Sequence, residues 1–126
     1  MKFKVVEKGN PSKPDEKKKQ YASAVNAGNL TIKELAKEIA GRSSLTRGDI
    51  ENVLANFLDE LPNYLKIGMS VKLGEFGTMR LNLKSEGVEQ GKKFDASKIK
   101  GVKIIFTPSV ELKKSLDDIT FEEVKK

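Results

Sequence analysis

The side chains able to do chemistry in this sequence are amines, guanidinium groups, carboxylates and hydroxyls, because cysteine, histidine and tryptophan are all absent. That removes disulfides, thiol nucleophiles, the common Cys/His zinc sites and the commonest general base. Neither a nucleophile-plus-base motif, a phosphate loop nor a metal-ligand cluster can be found, so no enzyme, metal, cofactor or small-molecule substrate is expected. What remains is a series of cations: Arg80, Lys84, Lys92, Lys93, Lys98, Lys100 and Lys103. From Lys84 to Lys100 there is almost nothing to bury, so that stretch should project into solvent. Cations spaced along a projecting segment suit a polyanion, although any one lysine taken singly is adequately explained by solubility.

The charge distribution sharpens this pattern. The chain has 126 residues and a net charge of +6. Residues 1–20 carry seven lysines against Glu7, Asp15 and Glu16, and residues 71–110 carry eight basic against four acidic residues. Residues 21–70 and 111–126 are each one unit negative. Positive charge therefore sits on the first segment and on the strand-rich segment, not on the helices. The length suits one domain with a modest core. The first twenty residues lack the apolar core of a signal peptide, and no apolar run approaches the ~20 residues of a membrane span, so a soluble, cytoplasmic protein is expected.

These cations must be held by elements that the pattern also predicts. Residues 2–8 read as a strand, "GNPSKPDEKKK" as a loop, and "QYASAVNAG" as a returning strand. Thr31 and Glu34 open a first helix, with Ile32, Leu35, Ala36, Ile39 and Ala40 in one stripe and Gly41 as its stop. Thr46 and Asp49 open a second, whose apolar face runs Ile50, Val53, Leu54, Phe57, Leu58, Leu61, Leu65. That face spans roughly 140°, wide enough to serve two surfaces. Pro62 should kink or break this helix, and Gly68 should close it. "VKLGEFGTMRL" is a short strand, a glycine-flanked turn with Phe76 at its apex, and a long strand. Residues 87–93 form a ribbon tip, and "FDASKIKGVKIIFT" returns with Val102, Ile104 and Phe106 on one face. Thr107 and Pro108 should start a last helix, and "ITFEEV" is expected as a closing strand paired with residues 2–8.

Two motifs in order, "SSLTRGDIENVLANFLDELPNYLKIGMSVKLGEFGTMRL" and "VKIIFTPSVELKKSL", resemble the HU and integration host factor family of bacterial histone-like DNA-binding proteins. The likeness covers about residues 30–116. With the additional N-terminal segment and "ITFEEV", the chain looks closest to the HU-related subfamily of Bacteroides-type bacteria. The resemblance implies an α+β fold: two N-terminal helices, a sheet with an extended two-stranded arm over residues 84–101, a short C-terminal helix and extra terminal strands. It divides the chain into an N-terminal hairpin (1–29), an HU-like domain (30–116) and a C-terminal tail (117–126). It further implies an intertwined homodimer, with Phe57, Leu61, Phe76, Met79 and Phe106 in the dimer core.

The resemblance also implies the partner, double-stranded DNA held by its minor groove and phosphates, and a nucleoid location. Arg80, Lys84, Lys92, Lys93, Lys98, Lys100 and Lys103 would line the arm and its base. Lys113, Lys114 and Arg47 would meet flanking phosphates, and amides at residues 107–109 would offer a weaker phosphate site. The family's arm tip carries an Arg-Asn-Pro whose proline wedges between base pairs. Here the tip reads "SEGVEQG", with Glu86 and Glu89, and Asp95 faces the lysines. The wedge does not carry over, and gentler bending is expected. Two readings follow: an architectural, largely sequence-independent DNA-binding dimer, or an HU-like dimeric interaction or scaffold module with weak or lost DNA binding.

Overall fold

In the computed structural model, which describes residues 1–125, the elements follow in the order β1 (Lys2–Lys8), β2 (Lys19–Ala24), α1 (Ile32–Ala40), α2 (Arg47–Lys66), β3 (Val71–Lys72), β4 (Gly77–Ser85), β5 (Ile99–Pro108), α3 (Val110–Ser115) and β6 (Glu122–Glu123). A 3-10 turn at Ala96–Lys98 precedes β5. This is the α+β composition that the sequence implies. The chain divides into two units, Met1–Leu30 with Leu116–Lys126, and Thr31–Ser115.

The first unit is a three-stranded sheet in the order β2-β1-β6. β1 and β2 pair antiparallel from Phe3↔Ala24 to Lys8↔Lys19. β6 runs parallel to β1, with the Glu122 amide donating to the Met1 carbonyl at 3.1 Å and that of Val124 to Phe3 at 2.8 Å. The terminal amine of Met1 donates to the Thr120 carbonyl at 2.7 Å, fixing the approach to β6.

In the second unit the helix starts follow from local chemistry. Thr31 accepts from the Glu34 amide at 3.2 Å to cap α1. At α2 the capping box is complete: Thr46 accepts from the Asp49 amide at 3.2 Å, and Asp49 accepts from the Thr46 amide at 3.3 Å. Such a pair satisfies two amides that the helix itself leaves free. Gly41 ends α1 in a right-handed conformation, φ −65°, so that stop does not depend on glycine. The end of α2 does. Gly68 lies at φ +89°, its amide donating to Leu65 at 3.0 Å while that of Met69 donates to Tyr64 at 3.1 Å. This is the Schellman arrangement, which favours glycine at its left-handed position.

Pro62 does not break α2, which continues to Lys66. A proline removes one bond to the carbonyl four residues back, but here the last turn is anchored by buried Leu65 and by the closure at Gly68. The last helix also begins later than the Thr-Pro pair suggests. Thr107 and Pro108 are the end of β5, paired with Thr78 and Gly77, and Ser109 caps α3 by accepting from Leu112 at 3.0 Å. Leu116 lies beyond that helix.

β3, β4 and β5 form the second sheet, antiparallel throughout. Val71 pairs with Met79 and Lys72 with Thr78 around the glycine-flanked turn. The Phe76 amide closes that turn onto the Leu73 carbonyl at 3.1 Å. Gly74 and Glu75 therefore form the apex, and Phe76 is the first residue after it. Large apolar side chains are mostly outside: the buried apolar residues of this unit are Ala36, Ile50 and Leu65.

Candidate nucleic-acid interface

The β4–β5 ribbon sorts its residues by face. Met79, Leu81 and Leu83 stand opposite Phe106, Ile104 and Val102, and directly opposed residues of an antiparallel pair share a face. The other face carries Arg80, Lys84 and Lys103, with Thr78, Asn82, Ile105 and Thr107. The alternation thus places three of the sequence-predicted cations together, on a plane away from the apolar side. None of the three has a carboxylate within ion-pair distance among the described residues.

The arm differs from the two-stranded ribbon expected over residues 84–101. Pairing is regular to Lys84↔Gly101, shifts register, and ends at Ser85↔Ile99. The shift leaves Lys100 as an extra residue, the arrangement of a β-bulge. Beyond it the chain folds back through its own polar groups. The Glu86 amide donates to the Lys98 carbonyl at 2.9 Å, and the Lys92 amide to Glu89 at 3.1 Å closes a turn over Gly91. Asp95 caps the 3-10 turn through the Ser97 amide at 3.2 Å. On the returning side Asp95 offers the backbone a local partner instead of a ladder.

Glu86 and Glu89 occupy cations of the arm. Glu86 meets Lys100 at 3.1 Å and Lys98 at 4.0 Å, and Glu89 meets Lys92 at 3.3 Å. All are exposed pairs of the kind that contributes about 1 kcal/mol or less. Their effect is on charge more than on stability: three of the predicted cations already face an anion. It is Glu86 that dilutes the arm, and Asp95 is engaged with backbone. Lys93 remains on the tip, Lys113 and Lys114 in the last turn of α3, and Arg47 in the first turn of α2.

The amides proposed for phosphate at residues 107–109 are unsuited to it. Ser109 donates its amide to the Phe76 carbonyl at 3.1 Å and its hydroxyl to the Glu75 carbonyl. The Lys113 amide returns to the Ser109 carbonyl at 3.1 Å. Ser109 therefore ties the Gly-Phe-Gly turn to the start of α3. The sequence alone does not show this tie, because the partners of Ser109 lie more than thirty positions away.

The residues assigned to a dimer core lie near the surface of the single chain. Phe76 is 55% exposed, Phe57 44% and Phe106 40%, with Leu61 and Met79 half-buried. Phe76 and Phe106 pack on one another, ring centres 5.2 Å apart and tilted by 40°. Along α2, Ile50 and Leu65 turn inward, while Val53, Phe57 and Tyr64 form an exposed stripe beside them.

Among the described residues no group of carboxylates is arranged to hold a metal, and no helix is long and apolar enough to cross a membrane. Among curated proteins none matches the chain. Two solved structures are similar in fold. A bacterial DNA-binding protein from Bacteroides vulgatus aligns with a TM-score of 0.63 at 13% identity, over 98% of this chain and 47% of its own. Anabaena HU, in a cocrystal with DNA, aligns with a TM-score of 0.53 at 16% identity, over 71% of this chain and 100% of its own. The chain spans about half the length of the Bacteroides protein. The model of the family described as an HU domain fused to wHTH, Ig or a glycine-rich motif matches residues 1–123. On that match over nearly its whole length, the chain belongs to this HU-HIG family.

Proposed function

We propose that the chain binds double-stranded DNA as an architectural, largely sequence-independent homodimer. The observation that carries this reading is the separation of faces on β4–β5: Arg80, Lys84 and Lys103 lie on one side and an apolar row on the other. The apolar row and the stripe on α2 serve the second copy, and the basic row serves phosphate. Lys93, Lys113, Lys114 and Arg47 add cations, and the paired Lys92, Lys98 and Lys100 contribute once their carboxylates are displaced. The proposed DNA-binding domain is residues 30–116. No chemical step is assigned to it, and a nucleoid location follows from the partner.

The test is the affinity for a random duplex across a series of salt concentrations. With ~4–8 phosphates neutralised per dimer, log K should fall against log salt with a slope of about −4 to −7. A flat response would favour a dimeric interaction module that does not use DNA. A site bound more than ~10³-fold tighter than random duplex would overturn sequence independence.

Glu86 supplies a second prediction. Glu86→Gln frees Lys98 and Lys100 together and removes one negative charge from the arm. It should tighten duplex binding about three- to tenfold at low salt, and Glu89→Gln, which frees Lys92 alone, should tighten it less. Equal affinities for Glu86→Gln and the wild type, in titrations at ~50 mM salt, would place the arm outside the interface.

A further inference from the structure

We infer that the N-terminal hairpin is a second phosphate-binding surface, engaging the same duplex through a basic face that the arm's charge does not account for. This rests on the DNA-binding reading above and names a partner for a segment which that reading leaves without one.

The register of β1 and β2 fixes the two faces of the hairpin. Lys4 opposes Ser23, Val6 opposes Tyr21 and Lys8 opposes Lys19, so Lys2, Lys4, Lys8, Lys19 and Tyr21 share one face. The reverse face carries Phe3, Val5, Ala22 and Ala24, with Glu7 opposite Gln20, and holds none of the β1 and β2 lysines. The lysine face presents exposed Lys2, Lys4, Lys8 and Lys19 beside half-buried Val6 and Ser23, with Glu122 of β6 in register with Lys2. It has a cost as well, because Lys8 and Lys19 are directly opposed like charges, which destabilise a strand pair.

The cations on this face are available. Among the described residues Lys13 has an ion-pair partner in the hairpin, Glu16 at 3.5 Å, and Lys2, Lys4, Lys8, Lys17, Lys18 and Lys19 have none. In the arm, by contrast, Lys92, Lys98 and Lys100 are all paired. Lys8, Lys17 and Lys19 line one concavity of about 340 Å³ together with Tyr21 and Asn10. Glu16 also borders it, with its carboxylate engaged by Lys13. Three lysines lining a space of that size leave room for a phosphate group. At a strand rise of ~3.4 Å per residue Lys4 and Lys8 stand ~14 Å apart on the same face, far enough to meet separate phosphates.

The experiment compares the wild type with Lys8→Gln/Lys17→Gln/Lys19→Gln in duplex titrations over salt. Each lost phosphate contact removes about 0.9 from the slope, so the variant should be shallower by about 2–3 and at least ~10-fold weaker at ~0.1 M salt. The charge-preserving Lys8→Arg/Lys17→Arg/Lys19→Arg should keep both values. An amine-labelling footprint of the wild type, which asks nothing of the variant's folding, should show Lys8, Lys17 and Lys19 protected by duplex and Lys13 unchanged. A wild type that binds duplex with no protection, or a glutamine variant with unchanged slope, overturns the hairpin surface alone. A wild type that fails to bind duplex overturns the DNA reading and this inference with it.

Discussion

Gly77→Ala should unfold the second unit or nearly so, with a loss of about 3 kcal/mol or more and a fall in Tm of more than ~10 °C. Gly77 begins β4 at φ +156°, where a side chain is strained. A Cβ there would stand 2.5 Å from the Thr107 carbonyl oxygen and 2.7 Å from two Phe106 ring carbons. The first obstacle is backbone of the paired strand and cannot swing aside. The second is the ring packed on Phe76, so relief there would disturb the aromatic pair. Two companion variants isolate the cause. Gly74→Ala has open space but a φ of +60°, and should cost about 1 kcal/mol. Gly87→Ala has open space and no positive φ, and should stay within about 0.5 kcal/mol of wild type. Thermal melts of the three decide it: if Gly77→Ala melts no lower than Gly74→Ala, close approach is not what requires glycine at 77.

The second large effect concerns association. Light scattering at ~10 μM should give a particle of about 28 kDa, twice the 14.0 kDa chain. Phe57→Asp should abolish it. In the second unit the buried apolar residues are only Ala36, Ile50 and Leu65, while Phe57, Phe76, Phe106 and Ile104 (67% exposed) face outward. Fully burying a Phe or Ile side chain stabilises by about 1.5–3 kcal/mol, so covering the exposed parts of these four on each copy adds substantially to what Ala36, Ile50 and Leu65 supply. A carboxylate at 57 would have to be desolvated against a facing apolar surface, at a cost of several kcal/mol. Because an obligate dimer has no stable folded monomer, the variant should lose helical signal as well as mass. A wild-type particle of ~14 kDa at ~10 μM would end the dimer proposal.

What the sequence made legible was local. The boxes at Thr46 and Asp49 lie three residues apart, and their hydrogen bonds require nothing from the rest of the fold. The alternation in β4 and β5 likewise carries its own face assignment. Errors arose where a local rule met a distant partner. Thr107 and Pro108 suit a helix start equally well as a strand end, and pairing with Gly77 and Thr78 decides between them. Pro62 meets a helix whose last turn is already held by Leu65. The positions of the arm lysines could be read directly, but not their availability, because Glu86 reaches Lys98 and Lys100 only after the register shift turns the tip back. The hairpin lysines were counted at the start, but only the pairing of β1 with β2 shows four of them on one face.

The closing strand has a consequence for the order in which the molecule assembles. β1 and β2 are neighbours in sequence and can pair as soon as both exist, on the microsecond scale of hairpins. β6 belongs to the same sheet, yet the Met1–Thr120 contact spans 119 positions, with the whole of Thr31–Ser115 between its halves. The first unit is thus interrupted by the second. During synthesis the hairpin waits with one edge of β1 open until β6 emerges, and such an edge is a template for foreign strands. Closing so long a loop from a disordered chain carries an entropic cost that grows with loop length. If the inserted unit folds first, a flexible loop becomes a body with fixed ends, and the final strand has less distance to search. The parallel pairing of β6 with β1 is then a late-forming seal.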